Sequence, residues 1–365
     1  MTCAARLVLL AVVGVTANCD RATRLDIQPL ADGEWIIVHA SERGGFLRKT
    51  RDMQPRRERQ PFAMLPEFVW LGDTLTPVRA DTFSLAVGAT RISFVRLQRG
   101  EFFASLTGQP VLQRSPVDSQ LYAFEHDDAI WVLKAPDTLH KLTLDYDLDT
   151  LRTRQREGAV ILYWSVNPVW SGDGKFIAFN SNRESVRTGA PGQSLWIIDA
   201  YTGVQRPVYD IAGESVHVEG AFGEEFVFIS NQRSGVFAVH PRTRAVRKLG
   251  DGYVLARHPR GAAILLNNNG ALTLLRGDAR HELTHPPAGE VWSTQAAIAP
   301  SGHLVAIYST DQAGSYTLNI LGANTITPIK LPALPSHGPA WFDDRTIIFS
   351  VQERGNLRTY RAVLR

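Results

Sequence analysis

Short β runs joined by tight polar turns, recurring at even spacing, restrict this chain more than any other feature. The clearest copy is Asn167-Pro-Val-Trp-Ser-Gly-Asp-Gly-Lys-Phe-Ile-Ala-Phe-Asn-Ser-Asn-Arg183, followed by Ser194-Leu-Trp-Ile-Ile-Asp-Ala-Tyr-Thr-Gly203. It predicts a strand, a turn at Asp173-Gly174, an apolar strand from Phe176 to Phe179, a polar loop and a third strand closing on Tyr201-Thr-Gly203. Asp-Gly between two β runs is a strong hairpin signal, because the turn that suits strand twist needs positive φ.

The same turn recurs along the chain. Ala31 to Val38 and Ala299 to Tyr308 repeat it well; His258 to Leu266, Phe222 to Ile229 and Trp341 to Phe349 are weaker copies. Glu125 to Leu133 and Val87 to Phe94 fit loosely. The spacing is about 40 to 50 residues, the length of one four-stranded propeller blade. Gly and Pro are spread along the chain and no long stretch has helical period, so a mixed α/β domain lacks its helices. One all-β domain over residues 24–365 is expected.

The copy at Asn167 resembles the repeat of TolB-like β-propellers, roughly Pro-x-Trp-Ser-Pro-Asp-Gly-Lys, an apolar strand, a Ser-x-Arg loop, and a strand ending in Asp-x-x-x-Gly. Pro168, Trp170, Ser171, Asp173, Gly174, Lys175, Ser181, Arg183, Asp199 and Gly203 match, while Gly172 replaces the usual proline. The resemblance implies a single β-propeller of four-stranded blades. Repeat length favours seven blades and leaves six or eight open. A propeller protects its last sheet edge by pairing the two termini, and Leu25 to Leu30 is the expected partner of a final strand from Leu357 to Leu364.

Arg6 precedes an apolar stretch, Leu7 to Val15, of signal-peptide size and too short to span a bilayer. Residues 1–18 therefore read as an export signal with two cleavage patterns. A cut after Val15-Thr-Ala17 gives ordinary secretion; Thr16-Ala-Asn-Cys19 resembles a lipobox that would lipidate Cys19 and hold the domain at a membrane surface. Cys3 lies in the signal, so the mature chain has at most one cysteine, no internal disulfide and no cysteine-zinc site.

Net charge is only +3, and so weak a positive total does not imply nucleic acid, which needs basic residues clustered on one face. The one dense run, Arg48 to Arg59, carries Arg56, Arg57 and Arg59 and reads as a solvated inter-strand loop or a docking loop for an acidic partner or lipid surface. Asp145-Tyr-Asp-Leu-Asp149 starts like a calcium loop, but Thr150 and Arg156 stand where glycine and glutamate are required. Prolyl oligopeptidase-type enzymes carry propellers of this family beside a hydrolase domain with a Gly-x-Ser-x-Gly elbow; Gly192-Gln-Ser194-Leu-Trp196 lacks the final glycine. A sialidase-type Asp box is only half matched at Ser171-Gly-Asp173. No metal or cofactor is expected.

Three groups remain as site candidates. The long loop Asn182 to Gln193 carries Arg183, Glu184 and Arg187, and long loops on rigid scaffolds are where binding residues sit. His217, Glu219, Arg257 and His258 fall on expected innermost strands as channel-lining polar groups. Trp164, Trp170 and Trp196 are expected to pack between blades. Propellers of this family commonly present one face or the channel to a protein partner. The resemblance thus implies an exported, monomeric binding or scaffolding module at the cell envelope. A sensor of small ligands or cell-wall fragments is the first alternative, and a channel enzyme (lyase, lactonase or glycan-active) the second. TolB has a further N-terminal domain, so its role in outer-membrane integrity does not carry over.

Overall fold

The computed structural model describes residues 25–29, 35–41, 44–49, 68–71, 74–77, 80–97, 102–104, 112–143, 163–323, 325–336, 338–354 and 356–364. They form eight antiparallel sheets in chain order, where repeat length favoured seven. The first spans Trp35–Ser41 to Thr74–Pro77, the second Ala80–Val87 to Phe102–Ala104 and the third Gln113–Arg114 to Thr138–Lys141. The fourth, the reference copy, runs Ser165–Trp170, Phe176–Ser181, Ser194–Asp199 and Gln205–Tyr209. The fifth begins at Val216–Phe222, the sixth at Tyr253–Arg257 and the seventh at Glu290–Ile298.

The eighth sheet closes the ring. Its central strand Thr346–Glu353 pairs with Leu334–Pro335 and Ala340–Trp341 on one side and Asn356–Leu364 on the other. Leu25–Pro29 then adds on, with Leu25 opposite Leu364 and Pro29 opposite Tyr360. Trp35–Ser41 meets this sheet in turn, so first and last sheets are neighbours. The expected closing strand is in place and the architecture is an all-β propeller.

Side-chain alternation explains the unbroken apolar runs in the second strands, such as Phe176 to Phe179 and Ala263 to Leu266. Successive residues of a strand face opposite sides of the sheet, and here both sides are covered. Phe176 and Ala178 enter the core shared with the fifth sheet, beside Val218, Phe226 and Phe228. Ile177 and Phe179 enter the core shared with the third, beside Ala123, Ile130 and Val132. The same division recurs between the fifth and sixth, sixth and seventh, and seventh and eighth sheets. Each of these seams is thus a hydrophobic core of its own. Trp170 is buried in one and donates its indole N–H to the Gln113 carbonyl of the third sheet at 2.9 Å.

The recurring turn has one geometry. The Ser171 amide donates to the Phe176 carbonyl at 2.9 Å and the Gly174 amide to the Ser171 carbonyl at 2.9 Å. His258 with Ala263 and Gly261, and Ala299 with Leu304 and Gly302, repeat both bonds. The third residue after the anchor has φ of 68° at Gly174, 68° at Gly261 and 76° at Gly302, which is why glycine recurs there.

These turns are also tied to one another. The Gly172 amide donates to the Gly223 carbonyl and the Gly223 amide to the Gly261 carbonyl, each at 2.9 Å. His258 Nε2 lies 2.8 Å from the Pro300 carbonyl, and the Ser301 amide donates to Asp344 Oδ1 at 2.8 Å. The turns of the fourth to eighth sheets therefore share one end of the ring, the turn face. The first strands enter from the opposite end, the entry face.

Candidate functional site

First strands surround the axis of a propeller, and five of them here are irregular. Pairing with the second strand shifts between Ile37 and His39, Val166 and Val169, Val218 and Gly220, Val254 and Ala256, and Trp292 and Ala296. A bulge leaves a residue out of the ladder, bends the strand and re-aims its side chain. The residues left out of the ladder are Val38, Asn167 with Pro168, Glu219, Leu255 and the run Ser293 to Gln295.

The belt is polar where the fourth to sixth sheets meet. Asn167, at φ 58°, donates its amide to Glu125 Oε2 of the third sheet at 3.0 Å. Its Nδ2 lies 3.2 Å from His217 Nε2 of the fifth sheet, and that nitrogen lies 4.0 Å from Glu219 Oε1. Arg257 reaches across from the sixth sheet with its stem over Gly220; a Cβ at Gly220 would stand 2.6 Å from Arg257 Cδ. The arginine is exposed.

A second polar cluster lies near the entry face. Glu214 is buried and accepts from the Tyr209 hydroxyl, 3.0 Å from each carboxylate oxygen, and from Ser230 Oγ. Arg233 Nε stands 3.7 Å away. Burial first, and then the bond to Glu214, push the Tyr209 hydroxyl up to about 12. The seventh sheet repeats the device with Glu290 and Ser309.

The entry face also carries exposed apolar side chains. Tyr253, Val291 and Leu334 stand at or next to the start of the first strands of the sixth, seventh and eighth sheets, exposed to 44%, 61% and 48%. Ile211, in the connection into the fifth sheet, is 45% exposed.

Comparison with solved structures bears on the fold. The chain is similar to an oligogalacturonate lyase from Vibrio parahaemolyticus at 11% identity, over 94% of this chain and 97% of that one, with a TM-score of 0.51. It also matches TolB from Acinetobacter baumannii at 14% identity, over 79% and 80% of the chains, with a TM-score of 0.36. A third match is the β-propeller domain of Cps50 (Swd1) from Myceliophteria thermophila at 11% identity, over 92% and 99%, with a TM-score of 0.43. The fold is that of a β-propeller. No protein-family model and no curated protein matches the chain.

Of the expected channel residues, His217 and Glu219 stand 4.0 Å apart, and the Arg257 stem lies over Gly220, the residue after Glu219. The fourth does not join them. His258 is buried, its Nδ1 accepting from the Arg260 amide and its Nε2 facing the Pro300 carbonyl, so its ring ties two turns together. Asn167 and Glu125 were missed by sequence reasoning. Their signal was faint: an asparagine, which tolerates positive φ better than most residues, stands before Pro168 where a strand begins.

The expected binding loop is also different. Its first part is a short helix, Arg183–Thr188, closed by Gly189 in the left-handed region at φ 75°. Arg183 points inward rather than to solvent. Its guanidinium lies 4.9 Å from the Trp196 ring centre, 5.4 Å from Phe179 and 5.8 Å from Tyr163, and Nη1 donates to Gln205 Oε1 at 2.6 Å. Burial draws it down to about 10. Glu184 is half-buried in the first turn, and Arg187 lies on the same helix.

Cys19, Arg56, Arg57, Arg59 and the Asp145 to Asp149 run lie outside the described residues. Among the described residues, no group of three or more His, Cys, Asp or Glu side chains is placed to hold a metal, and no helix is long and apolar enough to cross a membrane.

Proposed function

We propose that the chain is an exported binding module that takes a protein partner on its entry face. Residues 1–18 would act as the export signal and Cys19 as a lipid anchor. The observation that carries this reading is the placement of Tyr253, Val291 and Leu334. Three successive first strands each carry, first or second in the strand, a large apolar residue left open to solvent, and apolar side chains exposed together on one face mark an interaction surface. Ile211 extends the patch toward the fifth sheet. A rigid ring of sheets presents such residues with little loss of conformational freedom on binding.

Photo-cross-linking residues placed at Val291 and Leu334, with Thr202 on an outer turn as control, test it in native cells. A stoichiometric protein adduct from Val291 and Leu334 but not Thr202 is expected. Recovery of the chain alone from all three positions would remove the reading.

The polar belt favours a second reading, a small ligand held in the channel. It offers donors and acceptors from three sheets within a few ångströms, at Glu125, Asn167, His217 and Glu219. The likeness to the lyase is one of fold and adds no substrate.

A further inference from the structure

Arg257 differs from the other polar groups of the channel. Glu125 is met by the Asn167 amide, and Glu219 faces the His217 ring. Among the described residues, Arg257 makes no hydrogen bond or ion pair, although it is exposed on an innermost strand. The backbone makes room for it. Gly220 follows the bulge at Glu219, and only the missing Cβ lets the arginine stem lie flat across the neighbouring strand. Glycine in a strand interior weakens the strand and marks a close approach, and here the approaching group is this side chain. The guanidinium is thereby held at the turn end of the channel, opposite the apolar entry.

We propose that Arg257 anchors a carboxylate-binding site in the channel, for an acidic ligand whose carboxylate it holds through two parallel N–H···O bonds. A guanidinium presents paired donors that match a carboxylate, and such charge-assisted pairs are about twice as strong as neutral hydrogen bonds. Glu125 accepts from a backbone amide and Glu219 faces the His217 ring, and among the described residues neither is paired with Arg257. The site is separate from the entry-face patch and stands or falls independently of a protein partner there. A carboxylate can come from an acidic peptide or a small organic acid, and both are tested.

Calorimetric titration of the mature chain with tetraglutamate, tetraglutamine and succinate is the test. Binding of tetraglutamate, succinate or both, with none for tetraglutamine, is expected. Tetraglutamate alone would assign an acidic peptide, and succinate equally well a small acid. Arg257→Gln should lose at least tenfold in affinity, Arg257→Lys less, and Gly220→Ala should weaken binding by displacing the stem. Arg242→Gln, an exposed arginine over Phe176, should bind as the parent does. Urea midpoints report whether each variant folds.

Protection gives a readout on the unaltered protein. Tetraglutamate or succinate should shield Arg257 from phenylglyoxal, as mapped by peptide mass. The proposal is overturned by unchanged binding in Arg257→Gln, equal binding of tetraglutamine, or failure of both acids to bind and to protect. Entry-face cross-links that persist in Arg257→Gln would show that the partner reading survives such a failure.

Discussion

The amide of Gly172 donates to the carbonyl of Gly223 at 2.9 Å, and a Cβ at Gly172 would stand 2.4 Å from that same oxygen. The TolB-like repeat that this segment resembles usually has proline at this position. Proline has neither the N–H for the bond nor the space for its ring. The departure from the repeat is therefore where two neighbouring sheets are fastened together.

Restoring the usual residue should damage the protein. Gly172→Pro removes one inter-sheet hydrogen bond and forces two turns apart. A lost bond and a strained contact together cost about 2 to 4 kcal/mol. Urea denaturation followed by tryptophan fluorescence should show a lower midpoint with an unchanged slope. A midpoint equal to the parent's would mean that the two turns separate freely.

Legibility in the sequence followed the range of the interactions. Turn residues act locally, so Asp173-Gly174, the glycines at 261 and 302 and the apolar second strands were readable directly. The closing strand Leu25–Pro29 was readable because a propeller must protect its edge. Arg183 was misplaced because its burial depends on Tyr163, Trp196 and Gln205, none of them next to it in sequence. The belt was half readable: residue types at Glu219 and Arg257 suggested it, but bulges depend on pairing with a second strand. No local pattern announces that pairing.

Arg183 should prove a stability residue. Its guanidinium sits among three aromatic rings and bonds Gln205, whose Nε2 in turn donates to the Leu142 carbonyl at 2.6 Å. Arg183→Ala removes the stacking, the stem packing and the bond, for a loss of about 2 to 4 kcal/mol. Partner recovery by the folded variant should match the parent. A variant as stable as the parent that loses its partner would return Arg183 to the binding surface.

The N-terminal proposal has a direct chemical readout. If Cys19 is lipidated, mass spectrometry of the membrane-fraction protein should find an acylated first residue at Cys19, and Cys19→Ser should move the chain to the soluble fraction. An unmodified terminus beginning at Asn18 would establish ordinary secretion instead. Propeller stability should be the same in both forms, since Leu25–Pro29 begins the ordered pairing after this segment.

Glu214 should dominate the stability of the fifth sheet's entry. Its carboxylate is buried with the Tyr209 and Ser230 hydroxyls directed at it. Glu214→Leu leaves both donors facing an apolar group, and each buried unsatisfied donor costs about 1 to 3 kcal/mol. The double variant Glu214→Leu with Tyr209→Phe should recover part of that loss, because it removes one orphaned hydroxyl. A double variant less stable than the single one would place the cost elsewhere.

The same pair sets a response to alkali. Tyr209 ionises near 10 when unfolded and is pushed up to about 12 in the fold by burial and by its bond to Glu214. Between these values the unfolded chain has lost a proton that the folded one keeps, so rising pH favours unfolding. The stabilisation is complete below pH 10 and disappears as pH climbs through about 12. Tyr308, pushed up by burial alone, adds a fall in the same direction. Urea midpoints at pH 9 and pH 11.5 should therefore drop steeply in the parent and less steeply in Tyr209→Phe, which has no hydroxyl to ionise in either state. Absorbance at 295 nm should show the matching loss of one late-titrating tyrosine in that variant. Equal pH slopes for the two proteins would mean that Tyr209 ionises at its ordinary value and that Glu214 does not hold its proton in place.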